Sequence, residues 1–338
     1  MPDRNSDVRR RIAHTPRVAV TRRLMPSVED RFRDLFDTTL NADDRALSRE
    51  EIVALSRDID VLVPTVTDTV DADLIAAAGP DLRLIASFGA GTDHIDLPAA
   101  KARNIMVTNT PGVFTDDTAD MAMALLIGVM RRMREGTMLV RRDEWTGWAP
   151  SAMLGRQVGG KTLGIVGMGR IGQAVAHRAR AFGMRIAYHN RKRLPEAIER
   201  MLGADYVDDL DDLLAMSDIV SLHCPANENT RGMIDADRIA KMKPGAALVN
   251  TARGDIVDYE AMIAALESGH LYGAGLDVYP DEPEVDPRLI AHRNVITQPH
   301  IGSATEEGRA ASGLKIIANI KMWADGHRPP DQVIDGWV

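Results

Sequence analysis

Cysteine, aromatic residues and long apolar runs are scarce in this sequence. The single cysteine, Cys224, rules out a disulfide within the chain and is typical of a reducing compartment. Aromatic residues make up 4% of the chain, so Ala, Val, Leu, Ile and 17 methionines must fill most of the core. The most apolar run, residues 121–130, is about half the ~20 residues that cross a bilayer, and the polar residues 1–16 contain no signal-peptide core. We therefore expect a cytoplasmic protein without membrane contact, with residues 1–16 as a flexible lead-in.

Positive charge is also in deficit. Lys and Arg number 41 against 49 Asp and Glu, which gives a formal net charge of −8. No Lys/Arg-rich stripe interleaved with aromatic residues appears, so the sequence disfavours a nucleic-acid partner. No cluster of His, Cys and Asp has the spacing of metal ligands, and we expect no metal site.

What the chain does contain is a regular alternation of strand-like and helix-like segments, in a length that suits about two domains of ~100–200 residues. The predicted strands are residues 17–21, 60–64, 83–88, 105–108, 163–166, 185–188, 218–222, 246–250, 273–278 and 294–297. The predicted helices are residues 48–57, 71–78, 97–102, 117–134, 171–181, 195–202, 210–215, 235–242, 259–267 and 306–324. This alternation predicts an α/β fold of two Rossmann-like or flavodoxin-like doubly wound parallel sheets.

The second series of strands begins after the long apolar helix, and the last helix follows its end. We infer that this last helix returns to the first domain. The predicted domains are a discontinuous substrate domain, residues 17–113 plus 305–338, and a dinucleotide-binding domain, residues 114–304. The active site is expected in the cleft between them, a usual place for a ligand.

The sharpest single motif is a Gly-x-Gly-x-x-Gly pattern between a predicted strand and a predicted helix. In that setting Gly167 permits a tight turn, Gly169 lets the backbone approach a pyrophosphate, and Gly172 lets the helix pack closely on the strand. The N–H groups at the helix start then face the phosphates. Glycines alone often mark a plain turn, but within this series they indicate a dinucleotide cofactor. The contacts expected are Gly167, Met168, Gly169, Arg170, Ile171 and Gly172.

The end of the next strand indicates which nicotinamide cofactor is preferred. An NAD site has Asp or Glu about 20 residues after the glycines, on the ribose 2′-hydroxyl. Here that position is Asn190, followed by Arg191, Lys192 and Arg193. Nothing there repels a 2′-phosphate, and the Arg191 guanidinium can donate two hydrogen bonds to one, with Lys192 or Arg193 adding charge. A solvated basic loop is the plain alternative. We favour NADP(H), with NAD(H) possible, and expect cofactor contacts from Asn190, Arg191 and Lys192.

Three polar side chains come just after predicted strands of the second series: Arg253, Glu282 and His300. Ligands bind outside the carboxyl ends of parallel strands, so all three can face one site. Of the nine histidines we single out His300, because Pro299 ends its strand and Gly302 opens a new turn beside it. The other histidines are interpreted as surface or core residues.

Together these motifs resemble the D-isomer-specific 2-hydroxyacid dehydrogenase family, and within it the glyoxylate/hydroxypyruvate reductases. The resemblance runs from about residue 61 to residue 305 and continues more weakly to the end. Besides the glycine pattern, it rests on Gly89-Ala-Gly-Thr-Asp-His-Ile-Asp96, Asn109-Thr-Pro-Gly-Val-Phe-Thr-Asp-Asp-Thr-Ala119, Asn250-Thr-Ala-Arg-Gly-Asp255, Gly275-Leu-Asp-Val-Tyr279 and Pro299-His-Ile-Gly-Ser-Ala-Thr305. The set is far more specific than any one motif.

The resemblance implies reduction of small 2-oxo acids, glyoxylate and hydroxypyruvate, to D-2-hydroxy acids by hydride from the nicotinamide. His300 would be the general acid that protonates the carbonyl oxygen, a task that suits an imidazole near neutral pH. Glu282 would pair with it, and Arg253 would hold the substrate carboxylate and polarise the carbonyl. The substrate contacts implied are Phe88, Ala90, Gly91, Arg253 and His300. We expect backbone N–H groups of loop 88–91 to approach the carboxylate, and Thr65 and Met153 to line the pocket.

Further cofactor contacts are implied by the resemblance. It assigns Asp277 to the nicotinamide carboxamide, although a structural hydrogen bond would also explain an acid in an apolar strand. The other positions implied are Thr118, Cys224, Pro225, Thr230, Thr251, Ala252, Arg253, His300 and Gly302. Cys224 would otherwise be a small buried side chain, and nothing points to a nucleophile.

The segment of residues 141–155 carries Trp145 and Trp148. In related reductases this arm packs on a second subunit, and a tryptophan near Trp148 reaches the neighbour's substrate pocket. The resemblance thus implies a homodimer, and we extend the same hypothesis to Trp148.

Three alternatives compete with this interpretation. Phosphoglycerate dehydrogenases often carry an extra regulatory domain, which we do not expect in this sequence, although short forms exist. Formate dehydrogenases carry Gln where Glu282 stands, so the acid disfavours them. Dinucleotide-sensing corepressors of the same fold keep the catalytic trio but usually have a long disordered tail, which we do not expect here. Turnover of glyoxylate or hydroxypyruvate with NADPH separates an enzyme from a sensor.

Overall fold

The structure is a computed structural model that describes residues 14–333, so the expected lead-in lies outside the described residues up to residue 13. The chain divides into two compact units. The first contains the residues up to Phe114 and those from Ala304 onward, and the second runs from Thr115 to Ser303. Each boundary differs by one residue from the one that the sequence suggests.

The first unit is built on a five-stranded parallel sheet. Its elements up to residue 114 are β1 (Arg17–Val20), α1 (Pro26–Leu35), β2 (Asp37–Thr39), α2 (Arg49–Leu55), β3 (Val61–Val63), α3 (Ala72–Ala77), β4 (Leu84–Ala86), α4 (Leu97–Ala102) and β5 (Met106–Thr108). The strand order is β2-β1-β3-β4-β5, with every neighbouring pair parallel. This is the flavodoxin-like order, in which the order of the strands reverses between β1 and β3.

The second unit is built on a seven-stranded parallel sheet. Its elements are α5 (Thr115–Met130), α6 (Met133–Arg141), β6 (Thr162–Val166), α7 (Arg170–Ala181), β7 (Arg185–His189), α8 (Glu196–Leu202), β8 (Ala204–Tyr206), α9 (Leu210–Met216), β9 (Ile219–Leu222), α10 (Ala236–Lys241), β10 (Ala246–Asn250), α11 (Tyr259–Glu267), β11 (Leu271–Leu276), α12 (Pro287–Ala291) and β12 (Val295–Thr297). The order β12-β11-β10-β9-β6-β7-β8 is the Rossmann order, with a switch point between β6 and β9.

The last helix, α13 (Glu306–Ala324), completes the first unit. Its N-cap, Thr305, accepts a hydrogen bond from the Gly308 N–H at 2.9 Å. Ile316 and Ile320 of α13 share one core cluster with Phe32 of α1 on one face of the sheet. A second cluster, to which α2, α3 and α4 contribute, covers the other face. The sheet is thus buried on both sides, as parallel sheets are.

The sheet of the second unit is also covered on both faces. Leu125 and Val129 of α5 pack in one cluster with Ile165 of β6. The cluster on the opposite face includes Leu213 of α9 and Leu248 of β10. Burial on both faces explains why these strands read as continuous apolar runs rather than as an alternation.

The predicted fold class is confirmed, since both units are doubly wound α/β structures with parallel sheets. The predicted long helix 117–134 is wrong at its end: α5 ends at Met130, and Arg132 adopts a left-handed φ of 52° before α6 starts. Five elements were not predicted from the sequence: α1, β2, α6, β8 and α12. In α1 only Val28 and Phe32 are buried, and β2 and β8 are three-residue edge strands, so these elements have too few apolar residues to form a recognisable pattern.

Within residues 14–333, no helix combines the length and the apolar character that crossing a membrane requires.

Candidate active site

His300 and Glu282 form an ion-pair geometry beyond the carboxyl ends of β11 and β12. Nδ1 of His300 lies 2.7 Å from Oε2 of Glu282, and the two side chains are 29% and 28% exposed. The other oxygen, Oε1, accepts the backbone N–H of Tyr279 at 2.9 Å, which fixes the carboxylate. Because a carboxylate can only accept, Nδ1 carries a proton. Nε2 has no hydrogen-bond partner in the described part of the chain and is left for a ligand.

Glu282 is held ionised by its surroundings. Burial raises the pKa of its carboxyl, but the hydrogen bonds from His300 and Tyr279, with the positive charges of His300 and Arg253, outweigh burial and hold the pKa below its ordinary value. An ionised Glu282 stabilises a protonated imidazole and fixes its orientation.

The turn that carries His300 is strained, and hydrogen bonds to the Asp277 carboxylate hold its backbone in place. His300 has a φ of 54°, which non-glycine residues rarely adopt. The Asp277 carboxylate, 1% exposed, accepts the N–H groups of Ile301 at 2.8 Å and Gly302 at 2.6 Å. A Cβ at position 302 would lie 2.7 Å from Oδ2 of Asp277, so this approach requires glycine. Burial raises the pKa of Asp277, against the lowering effect of the two N–H groups. The structural hydrogen bond considered for Asp277 is therefore present, and the carboxamide contact stays a prediction.

Arg253 follows β10, next to β11 in the sheet. The buried Asn250 at the end of β10 fixes its backbone: Nδ2 donates to the Arg253 carbonyl at 2.8 Å, and Oδ1 accepts the Ala252 N–H at 3.0 Å. Arg253 is half-buried, and its charge contributes to the lowered pKa of Glu282. The structure therefore brings Arg253, Glu282 and His300 together beyond the ends of three neighbouring strands.

The glycine cradle lies at the switch point between β6 and β9. Gly167 has a φ of 97°, and a Cβ there would lie 2.6 Å from the backbone N of Cys224, so both conformation and space require glycine. Gly169 is the N-cap of α7 and makes no side-chain cap, which leaves the first N–H groups of the helix open to an anion. Along the cradle Gly167, Met168 and Gly172 are buried, Ile171 is half-buried, and Gly169 and Arg170 are exposed.

Two buried polar atoms near this cradle lack partners, and they fit a bound dinucleotide. Nδ1 of His223 and Oγ1 of Thr251 make no hydrogen bond to any residue that the structure describes. They follow β9 and β10, whereas buried polar groups in proteins are almost always hydrogen-bonded. Ribose hydroxyls and phosphates supply the donors and acceptors that such atoms need.

His223 is a site residue that the sequence analysis missed. Its Nε2 lies 2.8 Å from the Ser221 hydroxyl, and burial lowers its pKa to about 4, so the ring is neutral. From the sequence alone, His223 was interpreted as a surface or core histidine. Its position directly after β9, beside Cys224, could have indicated a cofactor contact, because the strand order reverses between β6 and β9.

The other predicted cofactor positions shape the same edge of the sheet. Burial raises the pKa of the Cys224 thiol to about 11, which agrees with a packing role rather than a nucleophile. The Thr230 hydroxyl donates to the Pro225 carbonyl at 2.6 Å and so closes loop 225–230. Ala252 is half-buried, and a Cβ at Gly302 would lie 3.6 Å from Cγ2 of Thr118.

Comparison with known proteins identifies the family. The family described as "D-isomer specific 2-hydroxyacid dehydrogenase, NAD binding domain" matches residues 123–302. The glyoxylate reductase of Thermococcus litoralis is 45% identical over 322 residues, 94% of this chain and 96% of that protein. The chain belongs to the D-isomer-specific 2-hydroxyacid dehydrogenase family. It is therefore an oxidoreductase that uses a nicotinamide dinucleotide, and residues 123–302 lie in its NAD-binding domain.

Solved structures agree with this assignment. A putative D-isomer-specific 2-hydroxyacid dehydrogenase from Polaromonas sp. JS6 66 has a TM-score of 0.89 at 41% identity, covering 95% of this chain and 100% of that one. The NADPH-dependent glyoxylate/hydroxypyruvate reductase of Sinorhizobium meliloti, in complex with NADP and malonate, has a TM-score of 0.85 at 33% identity, covering 95% and 97%.

In this D-2-hydroxyacid dehydrogenase the turn after β7 presents two free cations. Asn190 closes the turn by donating from Nδ2 to the Lys192 carbonyl at 2.8 Å. The Arg191 and Lys192 side chains are exposed and have no ion-pair partner among residues 14–333. Arg193 differs, since Nε and Nη2 donate to the Glu199 carboxylate at 2.9 and 2.8 Å.

The loop of the first unit that should meet substrate is only partly available. The Phe88 amide donates to the Pro64 carbonyl at 2.8 Å. The Phe88 ring is buried, and its centre lies 6.4 Å from the centre of the Phe114 ring. The amides of Gly89, Ala90 and Gly91 make no hydrogen bond to any residue that the structure describes, and their contact with a substrate carboxylate stays a prediction. Of the further pocket positions expected, Thr65 donates from its hydroxyl to Asp68 at 3.1 Å, and Met153 has a φ of 51°.

Proposed function

We propose that this enzyme reduces glyoxylate, hydroxypyruvate and similar small 2-oxo acids to 2-hydroxy acids of D configuration, with NADPH preferred over NADH. The relatives named glyoxylate reductase, at 42–45% identity in the first three examples, support the substrate class. The observation that carries the proposal is the His300–Glu282 pair at 2.7 Å with Arg253 beside it.

His300, Glu282 and Arg253 have different roles in the proposed reduction of the carbonyl group. A bound NADPH would supply the hydride to the carbonyl carbon. His300, protonated on both nitrogens, donates its Nε2 proton to the carbonyl oxygen, so that the C=O bond becomes C–OH and the imidazole is left neutral. Glu282 keeps Nδ1 protonated throughout. The Arg253 guanidinium binds the substrate carboxylate and polarises the carbonyl.

The preference for NADPH rests on the turn after β7. Asn190 stands where an NAD enzyme has an acid, and Arg191 and Lys192 offer cations that no described carboxylate neutralises. A 2′-phosphate would therefore be attracted there rather than repelled. The relative from Sinorhizobium meliloti, described as NADPH-dependent, supports the same choice.

The test is a panel of 2-oxo acids assayed at fixed NADPH and then at fixed NADH. We expect glyoxylate and hydroxypyruvate to be reduced, with the higher kcat/KM for NADPH. A higher kcat/KM for NADH would overturn the cofactor preference. Binding of both cofactors without turnover of any 2-oxo acid would instead indicate a dinucleotide sensor.

We also propose a homodimer that uses the arm of residues 141–155. Trp145 and Trp148 are 60% and 84% exposed, and Val140 and Leu154 nearby are exposed as well. Apolar surface of this extent is typical of an interface. Light scattering should give twice the chain mass, and a monomer at working concentration would refute the dimer.

The contact of Trp148 with a partner's pocket has its own test. A Trp148→Ala dimer that reduces glyoxylate normally would show that this side chain does not reach a partner's pocket.

A further inference from the structure

A buried carboxylate lies behind the basic turn that follows β7. Glu199, on α8, is 7% exposed and carries a negative charge. It accepts from the Tyr188 hydroxyl at 2.7 Å, and Tyr188 is the fourth residue of β7. The N–H of Leu194 donates to the same hydroxyl at 2.9 Å. Glu199 is thereby tied to both ends of the segment that contains the basic turn.

Arg193 is fully engaged by this carboxylate. Nε donates to one oxygen of Glu199 at 2.9 Å and Nη2 to the other at 2.8 Å, the two-pronged geometry that guanidinium and carboxylate favour. The guanidinium carbon also lies 5.5 Å from the centre of the Tyr206 ring. The pair lowers the pKa of Glu199 and raises that of Arg193, and burial together with Glu199 raises the pKa of Tyr188 to about 12.

The charge of Glu199 matters because of where it lies. Glu199 contacts the Tyr188 hydroxyl and the Arg193 guanidinium, which belong to residues two before and three after Asn190. The Tyr206 ring beside Arg193 places its hydroxyl 3.4 Å from the Asn190 carbonyl oxygen. An unpaired carboxylate in this position would oppose a 2′-phosphate, as the acid of an NAD site does at shorter range. A unit charge at about 10 Å, with the dielectric of a protein surface, changes the affinity for a phosphate about three- to ten-fold.

We propose that Arg193 determines cofactor specificity as a positioning residue: it neutralises Glu199 and holds the turn, while Arg191 and Lys192 bind the 2′-phosphate. This inference rests on the proposed preference for NADP(H). It assigns different tasks to three consecutive basic residues that look alike in the sequence. Arg193 itself makes no contact with the phosphate.

The experiment is a double-mutant cycle in the full chain with Arg193→Met, Glu199→Gln and the double variant. For each protein we measure the ratio of kcat/KM for NADPH to that for NADH, and the Kd of adenosine 2′,5′-bisphosphate and of AMP by calorimetry. Met retains much of the apolar stem of Arg193, and Gln retains an acceptor for the Tyr188 hydroxyl. Arg193→Lys, which retains the charge, is the matched control.

Opposite signs in the single variants are expected. Arg193→Met should lower the NADPH/NADH ratio about five-fold, because Glu199 is then unpaired. Glu199→Gln should raise the ratio, and the double variant should return to within two-fold of wild type. The Kd of the bisphosphate should follow the same pattern while that of AMP stays constant, and Arg193→Lys should resemble wild type.

Other outcomes overturn the inference. A double variant with a ratio as low as that of Arg193→Met would mean that Arg193 binds the phosphate directly. Equal losses with both cofactors, together with a lower Tm, would mean a purely structural role. If one variant fails to fold, the sign of the other single change still decides. The wild-type ratio alone tests the proposed NADPH preference, whereas the changes relative to wild type test the role of Arg193.

Discussion

The turns that follow β12 and β7 are built in opposite ways. After β12, His300 is held in a left-handed conformation over a buried Asp277, and its side chain lies 2.7 Å from Glu282. After β7, Arg191 and Lys192 extend from the surface without an ion-pair partner among the described residues. After β12 the functional side chain is itself bound by a carboxylate, whereas after β7 two cations extend unpaired from a turn that Asn190 and Arg193 hold.

The difference corresponds to what each turn must do. Proton transfer requires a donor positioned within a few tenths of an ångström, which explains the strained backbone at His300 and the buried Asp277 that holds it. Discrimination between two cofactors that differ by one phosphate can be achieved by charge at longer range, with side chains free to adapt. Changes in the first turn should therefore affect kcat, and changes in the second should affect the choice of cofactor.

The largest effect is expected for His300→Ala. Loss of the general acid should lower kcat for glyoxylate by about 10³-fold, while the Kd of NADPH, measured by fluorescence titration, stays within two-fold. His327→Ala, which changes an exposed histidine of the first unit, is the control and should behave as wild type. A nearly normal kcat for His300→Ala would remove this residue from the mechanism.

Arg253→Lys should come next. Lysine retains the charge but cannot form the two parallel hydrogen bonds of a guanidinium, so kcat/KM for glyoxylate should fall about 10²-fold. The loss should appear with NADPH and with NADH alike, since the role concerns the substrate. A loss confined to one cofactor would contradict the assignment to the substrate carboxylate.

Gly302→Ala tests whether the rigid turn is necessary. The new Cβ would lie 2.7 Å from Oδ2 of Asp277, so the turn must move and carry His300 with it. We expect kcat to fall about 10- to 100-fold, with the NADPH/NADH ratio unchanged. Gly136→Ala is the control, because a Cβ there meets only the Met153 side chain at 4.0 Å. Equal kcat values for the two variants would show that the turn tolerates displacement.

The same contrast explains how far the sequence could predict this molecule. All strands except the edge strands β2 and β8 were predictable, because they are largely buried and read as apolar runs; residues 246–250 match β10 without error. Arg253, Glu282 and His300 were found because each follows such a strand. The strands that precede them, β10, β11 and β12, are neighbours in the sheet. The pattern of apolar residues along the sequence cannot show which strands are neighbours.

What the sequence could not show is which polar groups are already paired. Arg191 and Arg193 look equivalent in the run Arg-Lys-Arg, yet only the second is bound to Glu199, six residues further on. Phe88 is part of a recognisable loop, but its amide is committed to Pro64. His223 resembled an ordinary core histidine until its unpartnered Nδ1 was located beside the cradle. Such pairings depend on tertiary packing and leave no periodic signal.

The smallest effect is expected in the turn after β7. Arg191→Ala removes one cation of the proposed 2′-phosphate site and should lower kcat/KM for NADPH about ten-fold, with kcat/KM for NADH unchanged. The difference should shrink at high ionic strength, because the charge is exposed and salt screens it. Arg185→Ala, at the opposite end of β7, removes an equally exposed charge and should leave both cofactors unaffected. If Arg191→Ala instead lowered kcat with both cofactors, the turn after β7 would be part of the positioned machinery, and the contrast between the two turns would be lost.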